Sequence, residues 1–147
     1  MAKKYFGLSE TEYLELHDLD GRMYLRRSKN EYDIIMIDAY RGWFVPFHLL
    51  TTEFYEQTKD RLSDGGVVVQ NIEPTTMLYD AAIATMKSVY DHVETYDAGG
   101  NVVAVAYSGP KRTKDQLLEQ AGLMQDKYEL RYPLTELRCF MMKTPSR

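Results

Sequence analysis

The chain has 147 residues, 44% of them hydrophobic and 27% charged, the composition of one folded domain with a real core rather than of a disordered segment. Its formal net charge of -4 and its basic residues, scattered among acids (Lys3, Lys4, Arg22, Arg26, Arg27, Lys29, Lys111, Arg112), leave no positive footprint for nucleic acid. The one cysteine, Cys139, excludes an internal disulfide or a cysteine-rich metal centre, MAKKYFGLSETEY lacks a signal-peptide core, and no run approaches the ~20 apolar residues of a membrane span. A cytoplasmic protein with no membrane partner is expected.

In chain order, EYLELHD (Glu12–Asp18) alternates with period two and predicts a strand; a Gly21 turn and a short amphipathic helix with Met23, Tyr24 and Leu25 follow. In YDIIMIDA the consecutive apolar residues Ile34 to Ile37 suit a strand covered on both faces, as in a parallel sheet. Thr51 or Thr52 is placed to cap a helix through Phe54, Tyr55, Thr58 and Leu62, with a stop at Gly65-Gly66. GVVVQNI (Gly66–Ile72) predicts a second strand, and Pro74-Thr75 opens a helical pattern through Met77, Leu78, Ala81, Ala82, Thr85, Met86 and Val89. HVETYD and NVVAVAYS, joined through Ala98-Gly99-Gly100, predict an antiparallel hairpin. A helix from Lys114 to about Tyr128 and a short last helix from Pro133 complete a single α/β domain over residues 1–147, with a mostly parallel sheet and one antiparallel edge.

Ligands of open parallel sheets bind beyond the carboxyl ends of the strands. Asp38 stands at such an end, as do Gln70 and Asn71 on the next strand. There a carboxylate can bind an amine, accept a proton, or simply cap the following loop. His48, in the loop before a helix, is open to a crevice role and to a packed or surface one.

The segments KYFGLSETEYLELHDLDGRMYLRR, YDIIMIDAY and VPFHLLTTEFYEQTKDRLSDGGVVVQNI, in that order, resemble the middle and C-terminal parts of the spermidine synthase (aminopropyltransferase) family, strongest between Asp20 and Ile72. The resemblance implies the Rossmann-like class I methyltransferase fold and aminopropyl transfer from decarboxylated S-adenosylmethionine, or use of S-adenosylmethionine, with a small amine such as putrescine as acceptor and no metal. It implies that Asp20 and Gly21 bind the adenosyl co-substrate, Asp38 is catalytic, and Tyr40 and Gln70 lie on the substrate side.

Two departures stand out. The family's second acid, three residues after the first, falls on Arg41, and in looser variants the acid five residues on falls on Trp43. The resemblance also places Lys3–Leu8 after the family's first two strands, and none of the nine glycines forms a Gly-x-Gly loop behind an apolar strand. A domain truncated at its N-terminus is therefore expected, completed by a second copy or by a complementing chain. Two other readings are a non-catalytic oligomeric interaction protein and an S-adenosylmethionine-dependent methyltransferase, in which Arg41 would suit an anionic acceptor.

Overall fold

The computed structural model describes residues 2–134 except 43, 98 and 129. A short helix α1 (Ala2–Tyr5) is followed by α2 (Gly21–Arg27), β1 (Tyr32–Ile37), α3 (Thr52–Lys59), β2 (Leu62–Ile72), α4 (Tyr79–Val89), β3 (His92–Asp97), β4 (Val102–Tyr107) and α5 (Lys114–Tyr128). The short helix expected from Pro133 onward lies almost entirely outside the described residues, as do Trp43 and Cys139.

The four strands form one mixed sheet in the order β1-β2-β4-β3. β1 and β2 are parallel, with Ile34 opposite Val67 and Ile37 opposite Gln70, and α3 carries the chain across. The expected hairpin closes the sheet: β4 runs antiparallel to β2 (Val68 opposite Ala106, Ile72 opposite Val102) and to β3 (His92 opposite Tyr107). Its Gly99 and Gly100 adopt positive φ, which lets the chain reverse without a Cβ clash.

The core lies between one sheet face and the helices α2, α3 and α4. Ile37, Val68, Ile72, Ala104 and Ala106 from the sheet form a single buried cluster with Phe54 and Tyr55 of α3, Ala82 and Met86 of α4, and Leu25 of α2. The spacing of four between Ala82 and Met86 keeps both on the inward stripe of α4. Because α2, α3 and α4 all cover this face, β1 is not covered on both sides among the described residues, as its sequence suggested it would be. Ile35 and Ile37 turn inward, whereas Ile34 and Met36 remain 59% and 76% exposed.

Three other expectations change. No strand forms over Glu12–Asp18: its backbone is tied up locally, Thr11 and Leu14 pairing in a tight bridge and Leu16 N donating to Glu10 Oε1. A strand needs a neighbour to satisfy its backbone, and none of the described strands lies beside this segment. Thr51 caps α3 as expected, but the helix ends at Lys59, and Gly65-Gly66 falls inside the longer β2 near an irregularity in its pairing with β1. Helix α4 begins only at Tyr79, because the Glu73 carboxylate accepts from Thr75 N and Oγ1, and its carbonyl from Thr76 Oγ1, folding the intervening residues into turns.

Candidate functional site

The carboxyl ends of β1 and β2 point to the same end of the sheet, and the loops there carry most of the residues singled out from the sequence. Asp38 follows the last residue of β1 and is exposed. Its Oδ1 accepts a 3.0 Å hydrogen bond from Asn71 Nδ2, on the neighbouring strand. Since a carboxylate only accepts, this contact also fixes which way the Asn71 amide faces. Together with Met36, Val69, Val103 and the hairpin turn Gly99–Asn101, Asp38 and Asn71 line a cleft of about 540 Å³. The cleft is polar at its rim and apolar along the sheet, a lining suited to a short aliphatic chain ending in a cation.

Tyr40, two residues on, is half-buried. Its hydroxyl is held protonated above the usual tyrosine range, by burial first and then by the negative charges of Asp38 and Glu73. That oxygen has no hydrogen-bond partner among the described residues. Arg41 is exposed, and its backbone N–H bonds the Phe44 carbonyl across a tight turn.

Asp20 caps α2: Oδ1 accepts from Met23 N at 3.1 Å, satisfying one of the first-turn donors of that helix. Its other oxygen, Oδ2, lies 2.9 Å from His48 Nε2. The His48 hydrogen bond and the Met23 N–H hold the Asp20 carboxyl below the usual carboxylate value against the opposing effect of desolvation. His48 sits in a single 3-10 turn (Phe47–Leu49) anchored by buried Leu49, and its carbonyl accepts from Arg22 Nη1 at 3.1 Å. Gly21 opens a second, apolar groove of about 300 Å³ along the free side of β1, lined also by Tyr24, Leu25, Ile37, Ala39 and Leu49. Gly21 and Ala39 both line this groove, which runs along β1 from Tyr32.

Gln70 is not brought to the cleft. Its side chain is fully buried on the helix-covered face, where Oε1 accepts from Tyr55 Oη at 2.8 Å, and Nε2 has no partner among the described residues. The period of two explains this: if Asn71 faces the cleft, its predecessor must face the core. Sequence reasoning missed the Gly99–Asn101 turn as part of the cleft wall. The signal was the hairpin itself, but which strand it would pair with was not legible. It also left His48 undecided, because its partner Asp20 is 28 residues away.

The spermine/spermidine synthase domain family model matches residues 1–105, which include β1, β2 and every loop just described. The chain belongs to that family. A polyamine aminopropyltransferase of Vibrio vulnificus is 33% identical over 127 residues, 82% of this chain but 42% of the relative. The chain thus spans less than half the length of that curated relative. Among solved structures, human methyltransferase-like protein 13 in complex with SAH superposes with a TM-score of 0.73 at 22% identity, covering 89% of this chain and 66% of that one. A spermidine synthase crystallised with the transition state analogue AdoDATO gives a TM-score of 0.52 at 26% identity, over 70% of this chain and 37% of that one. The spermidine synthase family therefore shares with this chain the Rossmann-like methyltransferase fold expected from the sequence. No helix among the described residues is long and apolar enough to cross a membrane.

Proposed function

We propose that this chain serves cytoplasmic polyamine synthesis by aminopropyl transfer, from decarboxylated S-adenosylmethionine to a small diamine such as putrescine. The observation that carries this reading is Asp38, at the end of β1, fixed by Asn71 over a cleft with an apolar floor, within a chain of the spermidine synthase family. In the reaction the diamine nitrogen attacks the aminopropyl carbon beside the sulfonium. The new C–N bond forms as the C–S bond breaks, the bonding pair stays on sulfur, and methylthioadenosine leaves. Asp38 first holds the incoming ammonium group, then takes the proton that the nitrogen must lose. Tyr40 flanks the same carboxylate.

Asp20 and Gly21 are assigned to the adenosyl portion of the co-substrate. Each Asp20 oxygen already accepts one hydrogen bond, and a carboxylate oxygen has a second lone-pair direction to offer a ligand. Gln70 supports the site from the core side by fixing the end of β2. A neighbour of the same fold binds SAH and a family member binds AdoDATO, which supports an S-adenosyl ligand here. Arg41 opposes a polyamine, since it sets a cation three residues from Asp38 where the family has an acid. The activity of this chain is accordingly weak alone and is completed by a second copy or a complementing chain at the free side of β1. Covering Ile34 and Met36, already partly shielded, would contribute about 1–2 kcal/mol each if their burial became complete.

Titration of the purified chain with methylthioadenosine, with its mass in solution measured alongside, tests the proposal. Micromolar binding that is lost in Asp20→Ala, with transfer to putrescine lost in Asp38→Asn, is expected. A stable protein that binds no adenosyl compound in any assembly state refutes it.

A further inference from the structure

Two loops far apart in sequence are tied together at the Asp20 carboxylate, and the tie is more specific than a cap requires. An N-cap needs one oxygen, and Oδ1 provides it to Met23 N. The second oxygen is engaged separately by His48 Nε2 at 2.9 Å. Because an ionised carboxylate only accepts, the Nε2 atom carries the hydrogen whether the ring is neutral or charged. The backbone that carries the imidazole is itself held: Leu49 next to it is buried, and Arg22 Nη1 bonds the His48 carbonyl and reaches Thr51 Oγ1 at 3.5 Å. With a donor on each oxygen, a swing of the carboxylate about its Cβ–Cγ bond breaks at least one hydrogen bond. Both side chains nevertheless stay accessible, Asp20 at 44% and His48 at 37%, so the remaining lone pairs face solvent or a ligand.

We infer that His48 is the positioning residue that aims Asp20 at the exocyclic amino group of a 6-aminopurine nucleoside and so makes the site reject 6-oxopurines. The inference rests on the assignment of Asp20 to the adenosyl ligand. Adenine offers an amino donor at C6, whereas hypoxanthine offers a carbonyl there and a ring N–H at the adjacent N1. A fixed carboxylate facing C6 accepts from the first and repels the second. A carboxylate free to swing reaches the N1–H of the oxopurine and loses the distinction.

The test is calorimetric titration of the whole chain with 5′-methylthioadenosine and 5′-methylthioinosine, for the wild type and for His48→Ala and His48→Gln. The wild type is expected to favour the amino compound about tenfold, the worth of one hydrogen bond to a charged group at a half-exposed site. His48→Ala brings the ratio within about twofold, and His48→Gln, whose amide N–H can replace the Nε2–H, restores at least about threefold. General damage to the fold would weaken both ligands equally and leave the ratio alone, so an unchanged ratio in His48→Ala overturns the inference. Should that variant not fold, His48→Leu, which fills the space without a donor, is read in the same way. Binding lost in Asp20→Ala with the ratio intact in His48→Ala sinks the role of His48 and leaves the adenosyl assignment standing. Failure of the wild type to bind either compound overturns both.

Discussion

Replacing Tyr55 by Phe tests how the candidate site is supported from below. Tyr55 is fully buried, and its hydroxyl is the sole hydrogen-bond partner of the Gln70 side chain among the described residues, donating to Oε1 at 2.8 Å. Burial raises the hydroxyl pKa well above the usual tyrosine range, so the group stays a neutral donor across the working pH range. Tyr55→Phe keeps the ring packing but leaves a fully buried amide with neither end satisfied. A buried acceptor stripped of its donor costs about 1–3 kcal/mol, and with no solvent to repair it the expected loss is about 2 kcal/mol. For a chain of this length that lowers the melting temperature by about 4–8 °C. In urea, the midpoint should fall with the slope unchanged. The companion variant Gln70→Leu removes the amide altogether, so Tyr55→Phe made in that background should cost markedly less, a coupling of at least about 1 kcal/mol. A loss under about 0.5 kcal/mol, or full additivity of the two substitutions, would refute the claim that Tyr55 and Gln70 form one unit.

Three further outcomes are expected. A Cβ built on Gly66 would stand 3.0 Å from the carbonyl oxygens of Ser63 and Tyr32 and 3.2 Å from Leu62 Cβ, so Gly66→Ala should cost about 1–3 kcal/mol in urea unfolding, whereas an unchanged midpoint would mean that β2 shifts freely against β1. Arg41→Asp reverses a charge three residues from Asp38 and should tighten putrescine binding by about two- to fivefold at low salt, the gain shrinking as salt is added; titration at two ionic strengths reads this, and no gain at low salt would place Arg41 away from the amine. Burial pushes Tyr90 up to about 12 from an ordinary 10.0, so the folded chain keeps a proton that the unfolded chain releases. That contribution to stability is complete below about pH 10 and disappears as the pH rises through about 12. Denaturation melts across this window, read with tyrosinate absorbance, should show Tyr90 ionising only with unfolding; a normal titration in the folded state would contradict its burial.

Local chemistry determined much of this protein before any long-range contact formed. The apolar run Ile34–Ile37, the threonine before α3, the Gly99-Gly100 reversal and the strand-end acid Asp38 each carry their consequence within a few residues, because capping, turn geometry and side-chain alternation are short-range effects. The resemblance carried by the motifs between Asp20 and Ile72 likewise belongs to the sequence alone. Tertiary structure decided what depends on neighbours. Glu12–Asp18 has the alternation of a strand and forms none, since backbone groups pair only with a strand that is there. Gln70 and Asn71 are adjacent and equally polar, yet one is locked to Tyr55 in the core and the other holds Asp38 at the cleft, a division set by which face the helices cover. The pairing of Asp20 with His48, across 28 residues, exists only because α2 and the loop after β1 fold to the same end of the sheet.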